Sequence, residues 1–163
     1  MKVGVKAIRK GVSLPEYGTE KSACADLRAN ITGEVRRSPE TYSAGVPPTT
    51  SIFVNPGERV LVPTGLIFDI PEGYSLRVHP RSGLSFKLGM TVVCGEGVID
   101  EDYQEELFVP IVNLSEVPVK ITDGDRIAQI ELVKDLRCSF GFVDALSEKD
   151  SSREGGFGHT GTR

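Results

Sequence analysis

Residues 51–79 read SIFVNPGERVLVPTGLIFDIPEGYSLRVH, short runs rich in Val, Ile, Leu and Phe divided by turn residues. Ser51 to Val54, Arg59 to Val62, Leu66 to Ile70 and Ser75 to His79 have strand length and strand composition. Between them, Asn55-Pro56-Gly57 and Pro71-Glu72-Gly73 combine a proline with fixed φ and a glycine free to adopt positive φ, the chemistry of tight turns. Working outward, similar runs recur at Val3 to Ile8, Leu107 to Val112, Val117 to Ile121 and Arg126 to Val133, with Asp123-Gly124 as a further turn. Only Ser82 to Leu88, set behind Pro80-Arg81, suits a helix. An all-β sandwich or barrel of short strands therefore fits better than alternating βαβ units.

The chain has 163 residues, of which 39% are hydrophobic, enough for one packed core and too few for two ordinary domains. The division expected is one β domain over 1–145 and a mobile polar tail over 146–163, rich in Ser and Gly. An irregular surface excursion is expected between Asn30 and Thr50, where Gly33, Pro39, Gly45, Pro47 and Pro48 fall. A formal charge of −4 gives no reason to expect nucleic acid or an anionic membrane as partner. Cys24, Cys94 and Cys138 are odd in number and form no C-x-x-C pair, which argues against a disulfide framework or structural zinc and for reduced thiols. With no apolar leader or membrane-length stretch, the expected setting is cytoplasmic and soluble.

Certain segments carry chemistry. Ala23 to Ala29 places Asp26 in an apolar-flanked, strand-like run, where it reads as a turn cap or the partner of an arginine. Pro80-Arg81-Ser82-Gly83-Leu84-Ser85 sets a permanently charged planar donor beside a hydroxyl and a glycine that permits close approach, which suits a phosphate. If Ser82 caps the short helix, the exposed N–H groups there would add to the anion site. In Gly95 to Tyr103, an extended backbone from Val98 would send Asp100 and Asp102 to one side and Ile99, Glu101 and Tyr103 to the other, unless a tight turn breaks the alternation. Paired acids there read as a metal site or general base, and equally as a solvated hairpin tip with a packed tyrosine. Gln129 lies in a strand entered from Gly124-Asp125, where an amide is more often structural. Finally, Arg153 to Gly161 is glycine-rich, so its amides are free to wrap phosphate oxygens, and Phe157 is the aromatic among them. From Asp144 an extended chain would carry Phe157 roughly 40 Å.

In this order these segments resemble the motifs of the trimeric all-β dUTPase family, over Ala23 to Gly161. The resemblance implies a distorted β-barrel or β-clip subunit with one short helix, forming a homotrimer whose active sites are shared between subunits. It implies hydrolysis of dUTP to dUMP and pyrophosphate by water attack on the α-phosphate, with Mg²⁺ held by the triphosphate and waters rather than directly by protein. Asp100 matches the acid that activates the water and meets the 3′-hydroxyl. Tyr103 matches the ring beneath the deoxyribose, and Val98 and Ile99 the hairpin whose main chain reads uracil. Arg81, Ser82 and Gly83 match the phosphate-holding segment, Gln129 a residue near the α-phosphate, and Asp26 an indirect role around the metal's waters. Arg153, Gly156, Phe157 and Gly158 match the lid over the nucleotide, with Phe157 stacked on the base.

The chain departs from that pattern in places. Cys94 stands where the family has an Asn at the uracil face, Glu105 where it has a Gly, and His159 where a Ser is common. The tail arginine expected at position 152 is Ser152 here, with Arg153 following it. Two further readings are a dCTP deaminase-type relative of the same fold, and a protein-binding regulator using the excursion at 30–50.

Overall fold

A computed structural model describes residues 1–32, 35–38 and 50–148. The elements are β1 (Gly4–Ala7), β2 (Glu16–Tyr17), β3 (Ala25–Arg28), β4 (Arg36–Ser38), β5 (Ser51–Val54), β6 (Arg59–Pro63), β7 (Leu66–Asp69), β8 (Tyr74–His79), α1 (Ser82–Leu88), β9 (Met90–Val92), β10 (Gly97–Ile99), β11 (Phe108–Asn113), β12 (Val119–Thr122) and β13 (Arg126–Lys134). The all-β reading with one short helix holds, and the strand runs of the sequence lie within a residue or two of observed strands. Strands β4 and β9 carry no strand signal of their own. Of the excursion, 33–34 and 39–49 lie outside the described residues, while Arg36–Ser38 pairs with β6 as an ordered strand.

The strands form a five-stranded sheet in the order β10-β8-β13-β3-β2, a four-stranded sheet β4-β6-β11-β9, and two ribbons, β1-β7 and β12-β5. These sheets do not close into a complete barrel. The core lies between their inner faces: Leu27, Val54, Val62 and Val109 expose no surface. Alternation is the sorting rule on the five-stranded sheet. Val78 and Ile130 are buried, while His79, Gln129 and Glu131 point to the other face and stay partly exposed. The pairing of β13 with β3 shifts register between Arg126 and Ala128, and there Ile127 and Ala128 are buried in succession. A bulge of this kind re-aims the residues on either side of it.

The helix begins and ends for local reasons. Arg81 is its N-cap in an extended conformation, φ −90° and ψ 125°, and no side chain caps the first turn, so Ser82 is the first helical residue rather than the cap. At the other end Gly89, at φ 67°, donates its N–H back to the last turn. A side chain there would meet Ser115 at 2.9 Å, so glycine is required twice over. No residue of α1 is buried within the subunit, and Phe86 is 93% exposed.

Candidate functional site

One end of β8 carries a cationic cluster. His79 on β8 and Asp26 on β3 both face Gln129 of the intervening β13, so register alone gathers their side chains. Just beyond β8, Arg81 Nε donates to Asp26 Oδ1 at 2.8 Å, and Arg126 Nη1 donates to Asp26 Oδ2 at 3.0 Å. Gln129 Nε2 donates to the Pro80 carbonyl at 3.3 Å, which ties β13 to the Pro80-Arg81 corner. Asp26 therefore spends both oxygens on two guanidinium groups and fixes the direction of Arg81. A Cβ placed on Gly83 would meet nothing within 4 Å, so the space over the Arg81-Ser82-Gly83 backbone is open. A cavity of about 310 Å³ adjoins the cluster, with Arg81 and Arg126 on one wall and Leu84, Met90 and Ile121 on another.

The other end of β8 carries the acid. β10 pairs with β8 antiparallel, Ile99 opposite Leu76. The backbone then turns: Tyr103 N–H donates to the Asp100 carbonyl at 3.1 Å. The alternation expected for an extended Val98 to Tyr103 therefore stops at Ile99. The turn splits the acids by role. Glu101 accepts from the Gly73 amide and from Arg137, whereas the Asp100 carboxylate is exposed and has no hydrogen-bond or ion-pair partner among the described residues. Tyr103 is fixed by its hydroxyl, which donates to the Glu106 carbonyl at 2.9 Å.

Glu106 is a residue the sequence reading missed. Its buried carboxylate takes a bidentate pair from Arg9 and the Gly65 N–H at 2.8 Å, so it anchors the segment between β10 and β11 to the loops after β1 and before β7. That carboxylate raises the pKa of the Arg9 guanidinium still further. A charged residue in a polar-looking loop gives no sequence signal of its burial.

Around β10 and the turn that follows it lies a second cavity, of about 430 Å³, whose lining includes Val98, Ile99, Asp100, Tyr103, Cys94 and Phe108. That volume suits a small-molecule site. Because β10 is the sheet's outermost strand, the main-chain groups on its free edge are not used by a neighbouring strand. Cys94 is exposed at this cavity.

Within one subunit the two halves stand apart. From Leu76, opposite Ile99, to Arg81 is five steps along the chain, roughly 16 Å at strand rise. Asp26, Arg81, Ser82, Gly83 and Gln129 gather at one end, and Val98, Ile99, Asp100 and Tyr103 at the other. Arg153, Gly156, Phe157 and Gly158 lie outside the described residues. Among those described, one group of His, Cys and acidic side chains is close enough to share a metal ion, Cys24, His79 and Glu131. No helix among the described residues is long and apolar enough to cross a membrane.

Residues 46–161 match the family model described as dUTPase. The chain is 42% identical to the deoxyuridine 5′-triphosphate nucleotidohydrolase of Finegoldia magna over 96% of this chain and 98% of that protein. It is 44% identical to the enzyme of the same name from Fusobacterium nucleatum, over 98% of each. Among solved structures, the Staphylococcus bacteriophage 80alpha dUTPase with dUPNHPP superposes with a TM-score of 0.78 at 22% identity, over 98% of both chains. A mutant dUTPase from phage phi11 of S. aureus, described with a structural Mg(II) ion, gives 0.73 at 18% identity, over 91% of this chain and all of the other. At such identity the structural likeness speaks to the fold alone.

Proposed function

This chain belongs to the dUTPase family, whose reaction is the hydrolysis of dUTP to dUMP, and from that premise we propose how its own residues carry the reaction out. The observation that carries the proposal is the contrast along β8: Asp100 has no partner among the described residues and lines a nucleoside-sized cavity, while Arg81 is aimed by Asp26 at the far end of the same strand. Deoxyuridine lies against β10, the free main-chain edge at Val98 and Ile99 reading the uracil, and Tyr103 lies beneath the sugar. Cys94 borders the base in place of the family's Asn, so that selectivity rests on the main chain and water. The Asp100 carboxylate takes a proton from a water whose oxygen bonds to the α-phosphorus. The bond from that phosphorus to the bridging oxygen breaks, and pyrophosphate leaves. Arg81 with Ser82 and the Gly83 backbone holds the phosphates from the opposite side, and Gln129 orients the α-phosphate or the water. Arg153, Gly156, Phe157 and Gly158 close over the nucleotide.

Mg²⁺ would be held by the triphosphate oxygens and waters rather than by a protein cage, and would supply charge neutralisation for the leaving pyrophosphate. The donor set fits this arrangement: Asp26 already spends both oxygens on arginines, and the Cys24, His79 and Glu131 group includes soft donors unlike the all-oxygen shell that Mg²⁺ takes. A separation of roughly 16 Å is too long for one water to bridge, so we place Asp100 of one subunit opposite Arg81 of another, in a homotrimer. Apolar side chains left in solvent by the single subunit, Phe86, Leu136 and Phe140 among them, support such an assembly. A cytoplasmic setting accords with the three free cysteines.

Two measurements test this. Incubation with dUTP, dCTP, UTP and dTTP plus Mg²⁺ should release pyrophosphate from dUTP alone; ammonia from dCTP would point to the deaminase reading instead. Mixing unfolded Asp100→Asn and Arg81→Ala chains and refolding them together should restore roughly a quarter of wild-type activity, because each mixed trimer rebuilds some intact shared sites. If the mixture stays as inactive as its parents, Asp100 and Arg81 act within one chain.

A further inference from the structure

The polar face of the five-stranded sheet holds a second constellation that the reaction does not use. Continuing the β13–β3 register by one residue beyond the Ile130–Ala25 pair puts Glu131 opposite Cys24. On the other side of β13, His79 sits diagonally across from Glu131, since Gln129 faces His79 and Glu131 faces Arg77. One ligand atom from each of Cys24, His79 and Glu131 lies within 4.8 Å of the other two, and His79 Nε2 is 3.0 Å from Glu131 Oε1. All three are half-buried, within reach of solvent.

We propose that Cys24, His79 and Glu131 form a binding site for a divalent transition-metal ion of the Zn²⁺ class, with Glu96 orienting the imidazole. A thiolate, an imidazole and a carboxylate are the donors such ions take, and the thiolate disfavours Mg²⁺. A tetrahedral Zn²⁺ would set its ligand atoms about 3.3–3.6 Å apart, so adjustments of roughly 1 Å in side-chain torsions complete the site. The ligands sit on or beside paired strands, so the backbone does not have to move. The second imidazole nitrogen also has its orienting group: His79 Nδ1 is 3.7 Å from Glu96 Oε2, and Glu96 is itself steadied by Arg77 at 3.6 Å. A carboxylate behind a metal-bound histidine fixes the ring and strengthens the ligand. Among the described residues His79 is the only basic side chain within ion-pair range of Glu131, so no lysine or arginine competes with the metal there. The fourth position is left to water. On binding, the Cys24 S–H bond breaks, its proton goes to solvent and a sulfur–metal bond forms.

This site stands apart from the catalytic reading, and its test needs no turnover. The full chain, stripped with a chelator, is titrated with Co²⁺ as a coloured stand-in for Zn²⁺. We expect one Co²⁺ per chain with a thiolate-to-cobalt charge-transfer band, displaced by Zn²⁺ and untouched by excess Mg²⁺. Cys24→Ser should abolish the band, and His79→Gln should weaken Co²⁺ by more than roughly tenfold. Glu96→Gln should weaken it by roughly tenfold. Asp100→Asn should leave it intact, which separates this site from the hydrolytic one. A band that survives Cys24→Ser, arising then from the exposed Cys94 or Cys138, overturns the proposal, as does the absence of any band in the parent chain.

Discussion

The two ends of β8 set two carboxylates in opposite conditions. Asp26 is held between Arg81 and Arg126, with its side chain only 14% exposed, while Asp100 is exposed on a turn and bonded to nothing among the described residues. Two guanidinium groups hold Asp26 by one bond to each oxygen, which sets it to aim those neighbours, while Asp100 stands open to water at the rim of a cavity. On the proposed reading, the reactive group is marked by what it lacks, and its supporting residues by what they hold.

Breaking the contrast at the free end should give the largest effect. Asp100→Asn should lower kcat by about 10²–10⁴-fold in a pyrophosphate-release assay. Its unfolding free energy should move by no more than about 0.5 kcal/mol, because an exposed, unpartnered side chain carries little stability. Equal losses of activity and stability would erase the distinction. Next is the anchor between β10 and β11: Glu106→Gln leaves Arg9 without its counter-charge and should cost about 2 kcal/mol in denaturant melts, reduced from the full buried-pair figure by the partial exposure of Arg9. The same variant should raise KM, since the anchor locates Asp100 and Tyr103.

At the pinned end, Asp26→Asn should cost about 1–2 kcal/mol and release Arg81, so that KM and kcat both worsen. A change confined to kcat would instead mark Asp26 as a reacting group. Tyr103→Phe removes one hydrogen bond to the Glu106 carbonyl and should cost about 1 kcal/mol, with dUTP still preferred over UTP because the ring remains.

The smallest effect concerns pH. Burial, and then the charge of Glu131, push the Cys24 thiol above its ordinary value of 9.0. Below that value both folded and unfolded chains keep the proton and stability is flat. Above it the unfolded chain ionises first, so the stability of metal-free protein should fall as pH rises from about 9 toward the folded value. Cys24→Ser should flatten this slope in Tm against pH.

Much of the fold was legible because β structure here is written locally. Turn residues and short apolar runs located most strands, and Pro80-Arg81 with Gly89 bounded the helix at Ser82 and Leu88. β4 and β9 were hidden because three-residue strands carry too little alternation to register. Whether Ser82 caps the helix was left open by composition, and the backbone settles it: Arg81 takes the cap position in an extended conformation. Period-two reasoning failed beyond Ile99 because the chain leaves β10 in a turn closed by the Tyr103 amide, which no composition marks.

Sequence alone determined which residues could do chemistry and the family they belong to, because motif order and turn chemistry are properties of adjacent residues. It also supplied the acid, the arginine and the tyrosine by name. Only the tertiary structure decided that Asp26 pairs with two arginines, that Glu106 is buried between Arg9 and Gly65, and that Asp100 and Arg81 stand at opposite ends of one strand. It also brought Cys24, from the bend before β3, together with His79 of β8 and Glu131 of β13. The physical reason is that charge pairing and burial depend on cross-strand register, which joins residues 50 to 100 positions apart that no local pattern relates.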